Sequence, residues 1–208
     1  MSQHTIEHMK HELNWTGEVP IRWTKGLSAG ELDKIMHAMN SKIWCGPVSA
    51  RDDICNIKPC FVEHEPNASS TIFNTALKDQ NGEHWVAIYY DPCCNDHRIE
   101  YFDSTGLMCF FPEIMCLIEY LSPHHAIVQN EYIIQNPTNL NSPACGFHCI
   151  YYLLKKEGIL PPDNGYVDSE IMHADYPLEG EIKHINDMHA MLTVEKLIRD
   201  FKIPIKDD

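Results

Sequence analysis

At 208 residues, with 44% hydrophobic and 22% charged side chains, the chain is long enough to bury one proper core and reads as a globular domain with appended helices. Sixteen basic against 30 acidic residues leave a formal net charge of −14, which opposes a sequence-independent grip on nucleic acid and is compatible with basic protein substrates. No apolar run approaches a membrane span and the polar start around His4, His8 and His11 is no signal peptide, so a cytosolic or nuclear setting is expected, with the nine cysteines as free thiols.

Residues 1–20 are polar and mixed, and are expected as an arm or an isolated helix. Ser28-Ala29-Gly30-Glu31 has the spacing of a capping box. Leu32, Ile35, Met36 and Met39 follow at helical spacing, which predicts a helix ending near Asn40. Trp44-Cys45-Gly46-Pro47-Val48 is a turn-rich approach to the next segment. Cys60-Phe61-Val62 and Thr71-Ile72-Phe73-Asn74-Thr75 read as β-prone. Asn81-Gly82 marks a turn. His84-Trp85-Val86-Ala87-Ile88-Tyr89-Tyr90 then runs almost wholly apolar, aromatic or β-branched, the composition of a strand buried on both faces. A loop over 91–97 returns the chain as a second strand, Arg98 to Asp103. The two strands predict a hairpin whose open end brings His84 beside Asp103.

Glu113 to Leu121 reads as a short helix with Ile114, Leu117, Ile118 and Leu121 on one side, broken by Ser122-Pro123. Ile127-Val128 and Tyr132-Ile133-Ile134-Gln135 supply more β-prone material. A polar loop then reaches Ser142-Pro143-Ala144-Cys145-Gly146. Ser142 suits an N-cap and Pro143 the first helical position. That places Cys145 in a first turn, where unpaired N–H groups and the helix dipole favour a thiolate. Gly146 is expected to leave space beside the sulfur for a substrate. Phe147, Ile150, Tyr151 and Leu154 continue as an amphipathic helix, and residues 185–201 predict a closing one.

Thirteen histidines make zinc a rival use for the cysteines. The chain has no Cys-x-x-Cys pair, however. Cys93-Cys94 with His97, and Cys145 with His148 and Cys149, come nearest to ligand clusters, and neither has the paired spacing of a structural site. No metal and no cofactor are therefore expected.

Thiol catalysis needs a base for the sulfur's proton, an acceptor that orients the base, and a donor facing the oxyanion. The chain offers His84 at a strand start, Asp103 at the end of its neighbour, Gln135 ahead of the thiol loop, and Cys145 at a helix start. Singly, these are a core histidine, a turn former, a surface amide and a buried thiol. In this order the set resembles the adenovirus protease (adenain) type of cysteine protease, encoded by adenoviruses, other large DNA viruses and Maverick/Polinton elements. Leu27-Ser28, Cys45-Gly46-Pro47-Val48, Asp52-Asp53 and Phe73-Asn74-Thr75 ahead of Gly82-Glu83-His84-Trp85 extend the resemblance, which covers roughly residues 27–157.

The resemblance implies an α+β, papain-like fold of the adenain/SUMO-protease type, with a central mixed sheet flanked by helices and the nucleophile at a helix N-terminus. The chain is expected to divide into an N-terminal arm over 1–26 and a protease domain over 27–208, with a core over 27–157 that carries the resemblance and a C-terminal helical part over 158–208. The resemblance also implies His84 as general base, Asp103 as the acceptor of its Nδ1–H, Cys145 as nucleophile, and Gln135 sharing an oxyanion hole with the Cys145 N–H. Asp103 stands where the adenovirus enzymes carry glutamate, and the Gln135-to-Cys145 interval is long for the family, so Asn139 or Asn141 stays open as substitute donor.

The expected activity is thiol endopeptidase cleavage of precursor proteins during particle maturation, in the host cytoplasm or nucleus or in the virion. The partners are protein substrates, without membrane or nucleic acid; an activating viral peptide stays an open question. Two alternatives remain open: a SUMO- or ubiquitin-like-specific protease, and a non-catalytic scaffold or zinc-binding module.

Overall fold

Along residues 85–91 successive side chains point to opposite faces, and both faces are apolar. Val86, Ile88 and Tyr90 join one buried cluster; Ala87 and the half-buried Trp85 and Tyr89 join another. A strand of this kind needs a layer on each side. The computed structural model, which describes residues 3–93, 98–121, 127–129, 134–135, 143–160 and 179–205, supplies both layers.

The elements run in the order α1 (Gln3–Leu13), α2 (Arg22–Lys25), α3 (Ala29–Ala38), β1 (Ser49–Ala50), a 3₁₀ turn (Arg51–Asn56), α4 (Lys58–His64), β2 (Ser69–Asn74), β3 (Trp85–Asp91), β4 (Arg98–Phe102), α5 (Pro112–Leu121), β5 (Ile127–Gln129), α6 (Cys145–Lys156) and α7 (Glu179–Asp200). Among the described residues the strands form one mixed sheet in the order β1-β2-β3-β4-β5. The two outer pairs are parallel and the two inner pairs antiparallel. On one face, α1, α3, α6 and α7 pack Met9, Leu32, Phe147 and Met191 over Ile72, Ala87 and Phe102. On the other, the 3₁₀ turn, α4 and α5 pack Ile54, Phe61 and Leu117 over Phe73, Val86 and Tyr101.

The capping box forms: Glu31 N–H donates to Ser28 Oγ, and Ser28 N–H donates to Glu31 Oε2 at 2.7 Å. The helix it opens ends at Ala38. Three expectations change. Cys60-Phe61-Val62 is helical, not extended, because Pro59 sits in the first turn of α4, where its fixed φ and missing N–H suit a helix start. The stretch expected as an arm is packed: Met9 and Trp23 are fully buried, and the Arg22 guanidinium donates from Nε and Nη2 to Glu195 of α7 at 2.7 and 3.0 Å. Helix α6 begins at Cys145, with Ala144 at the N-cap and no side-chain cap. Ser142, Tyr132, Ile133 and the 94–97 loop lie outside the described residues.

Candidate active site

The β3–β4 ladder pairs Asp91 with Arg98 and Ala87 with Phe102, so His84 and Asp103 leave its open end side by side. His84 Nε2 lies 2.8 Å from Asp103 Oδ1. The sequence reading put Nδ1 on the carboxylate. The ring is turned the other way, with Nε2 on the carboxylate, and it also hydrogen-bonds with the Cys145 thiol. Burial alone would push the His84 pKa down. The bonds to Asp103 and Cys145 and their negative charge outweigh it and raise the value to about 10. At neutral pH the ring is thus an imidazolium between a carboxylate and a sulfur.

Each partner is held by its own neighbours. Asn74 Oδ1 accepts from Ala76 N–H at 2.9 Å and Glu83 N–H at 3.1 Å, and Thr75 N–H donates to the His84 carbonyl at 2.9 Å. One side chain therefore closes the loop that delivers the histidine. Thr105 donates to Asp103 Oδ1 from its backbone N–H at 2.7 Å and its hydroxyl at 2.6 Å. Oδ1 is fixed by these two donors before the imidazole reaches it. The Ser104 carbonyl accepts from Ile134 and Gln135 N–H at 2.9 and 2.8 Å, and its hydroxyl donates to Gln135 Oε1 at 2.6 Å. Buried Gln135 is thereby anchored beside Asp103, with its amide NH₂ turned away from Ser104.

Cys145 opens α6 and is 8% exposed. Its partner Gly146 serves packing, not substrate space. A Cβ there would lie 3.2 Å from Trp85 Cδ1 and 3.3 Å from both Leu27 Cβ and Leu32 Cδ2. Trp85 is itself fixed, since its Nε1–H donates to the Leu27 carbonyl at 2.9 Å. Trp85 also lines a cavity of about 490 Å³ with Gly46, Pro47, Val48, Cys60 and Asn74.

The structure thus brings His84, Asp103 and Cys145 together and ties Gln135 to the residue after Asp103. Asn139 and Asn141 lie outside the described residues. Sequence reading missed the supporting roles of Ser104 and Thr105. The available signal was two hydroxyl residues directly after an acid at a strand end, where such side chains bond locally to backbone and carboxylate. It also missed a second buried pair one helical turn beyond Cys145. There His148 Nε2 lies 2.8 Å from Asp187 Oδ1 and joins α6 to α7. His148, one of the residues considered for metal with Cys145 and Cys149, thus has its Nε2 on Asp187.

No family model and no curated protein sequence matches the chain. Solved structures do. The ASFV pS273R protease is 17% identical, with a TM-score of 0.54 over 83% of this chain and 68% of that one. The SUMO protease Ulp1, in a form with its catalytic cysteine oxidised to a sulfonic acid, is 12% identical, with a TM-score of 0.45 over 97% of both chains. The mixed sheet between helical layers is the cysteine-protease fold expected from the sequence.

Proposed function

We propose that the chain is a thiol endopeptidase in which Cys145 is the nucleophile, His84 the proton carrier and Asp103 the group that orients it. The observation that carries this reading is the single imidazole bonded to Asp103 on one side and to a helix-N-terminal thiol on the other. In this arrangement His84 already holds the proton that the sulfur has given up, and the sulfur attacks the scissile carbonyl carbon. The carbonyl oxygen gains the negative charge and is met by the Cys145 N–H and the Gln135 amide. His84 then protonates the departing amine as the C–N bond breaks, leaving a thioester on Cys145. A water whose proton passes back to His84 hydrolyses the thioester and frees the acid product.

The substrates in this reading are precursor polypeptides of the DNA virus or mobile element that encodes the chain, cut in the host cytoplasm or nucleus or inside the particle. The sequence resemblance set out above supports that choice. The test is incubation with a structural precursor polyprotein in parallel with a ubiquitin-like vinyl sulfone, with Cys145→Ala as control. Cysteine-dependent cleavage of the precursor supports the reading. Labelling by the ubiquitin-like probe without precursor cleavage transfers the substrate to ubiquitin-like conjugates. Silence in both leaves a non-catalytic scaffold.

A further inference from the structure

Cys45, Cys60 and His64 form a second chemical cluster, across the sheet layer from α6. Cys60 and His64 are four residues apart on α4 and share one face of that helix. Cys45 precedes β1 and is anchored to the sheet, its N–H donating to the Ser70 carbonyl at 2.8 Å. The three ligand atoms lie within 4.8 Å of one another. His64 Nδ1 is 3.5 Å from the Cys45 sulfur and 3.5 Å from the Cys60 sulfur. A tetrahedral zinc ion, with Zn–S of about 2.3 Å and Zn–N of about 2.0–2.1 Å, holds sulfur and nitrogen about 3.5 Å apart. The side chains already stand at the spacing such an ion imposes.

We propose that Cys45, Cys60 and His64 bind one thiophilic divalent cation of the zinc class. Two thiolates neutralise its charge and the neutral imidazole is the third ligand. A water completes the tetrahedron from the side where Cys60 and His64 are half-exposed. His64 Nδ1 also lies 2.8 Å from the Cys60 carbonyl, to which an Nδ1–H donates. Binding moves that proton to Nε2 and turns the Nδ1 lone pair to the metal. The cation pins α4 to the segment ahead of β1. Both flank the cavity on which Trp85 sits, since Cys60 and Gly46 line it. The site is thus structural support for one wall of that cavity, and it stands independently of the role given to Cys145.

The test uses the full chain carrying Cys145→Ala, so that the candidate nucleophile contributes no thiolate. Reduced and metal-free, it is titrated with Co²⁺ and then with Zn²⁺. One equivalent of Co²⁺ should give a thiolate-to-cobalt charge-transfer band with a tetrahedral visible spectrum, and Zn²⁺ should displace it. Cys60→Ser and His64→Ala, each added separately, should weaken binding by more than about a hundredfold, beyond the loss expected from an outer-shell partner. Zinc should raise the Tm of the parent and not that of either variant. Absence of the thiolate band, or a band that survives both substitutions, overturns the site. A Cys45–Cys60 disulfide that survives the reduction step and keeps the metal out overturns it equally.

Discussion

Asp103 and Gln135 carry the residue-scale predictions. Asp103 Oδ1 already accepts two bonds from Thr105, so an asparagine can keep its oxygen in place and still receive the His84 Nε2–H. Asp103→Asn therefore loses charge and keeps the tautomer. We expect kcat/KM to fall about 10²-fold, short of the roughly 10⁴ that a reversed tautomer costs. The alkaline limb of the pH–rate profile, expected near the His84 value of about 10, should move toward the ordinary histidine range. Near-normal kcat/KM with an unmoved limb would make Asp103 a turn former only.

The same group couples to stability. His84 binds its proton more tightly folded than unfolded. Its contribution is complete below the ordinary value of 6.5 and is lost as pH rises through about 10. Urea titrations at neutral and strongly alkaline pH measure that loss, which should shrink in Asp103→Asn. For Gln135, a donor used only as charge develops should change kcat and leave KM, by about 10²–10³ in Gln135→Ala. Ser104→Ala should show a smaller loss of the same kind, because the serine only turns the amide. A pure KM effect in both variants would remove Gln135 from the oxyanion role.

At the scale of elements, what was legible was local. A hairpin fixes which residues meet at its open end, so His84 and Asp103 could be paired from sequence alone. The capping box of α3 is equally local, four residues with reciprocal bonds. The metal cluster was hidden by one wrong element. Read as a strand, Cys60 and His64 stand about 13 Å apart; on a helix they share a face about 6 Å apart. The short run Cys60-Phe61-Val62 is too brief for its period to decide, and Pro59 at the helix start was the overlooked signal. Gly146 was read for the wrong neighbour, because its contacts Trp85, Leu27 and Leu32 come from two segments far from it in sequence. Gly146→Ala should cost about 1–3 kcal/mol by overpacking against Trp85 and Leu27. A Tm equal to that of the parent would show that the wall yields and that the glycine is dispensable.

Across the whole molecule, the least legible feature is the tie between its two ends. Arg22 and Glu195 are 173 residues apart in sequence, yet their side chains are only 4% and 2% exposed and bonded at two points. No pattern in a polar N-terminal stretch announces a partner so far along the chain. Removing one member leaves a buried unpaired charge, so Arg22→Met should destabilise by about 3–5 kcal/mol in denaturant unfolding. Arg22→Met with Glu195→Leu should recover much of that loss. A single variant within about 0.5 kcal/mol of the parent, the range of ordinary surface substitutions, would contradict a structural role for the ends.

The thiol chemistry has internal references in the same chain. Among the described cysteines Cys93 and Cys116 are exposed, whereas Cys145 is 8% exposed. Accessibility alone would make Cys145 the slowest of the three toward iodoacetamide. Pairing with His84 at a helix N-terminus would make it the fastest, most clearly at mildly acidic pH where ordinary thiols are protonated. The decisive measurement is the alkylation rate of each cysteine against pH, read by peptide mass spectrometry in the parent and in His84→Ala. We expect Cys145 to lead at acidic pH in the parent and to fall behind Cys93 and Cys116 in His84→Ala. A Cys145 that trails both in the parent, or reacts at a rate independent of His84, contradicts the catalytic pair.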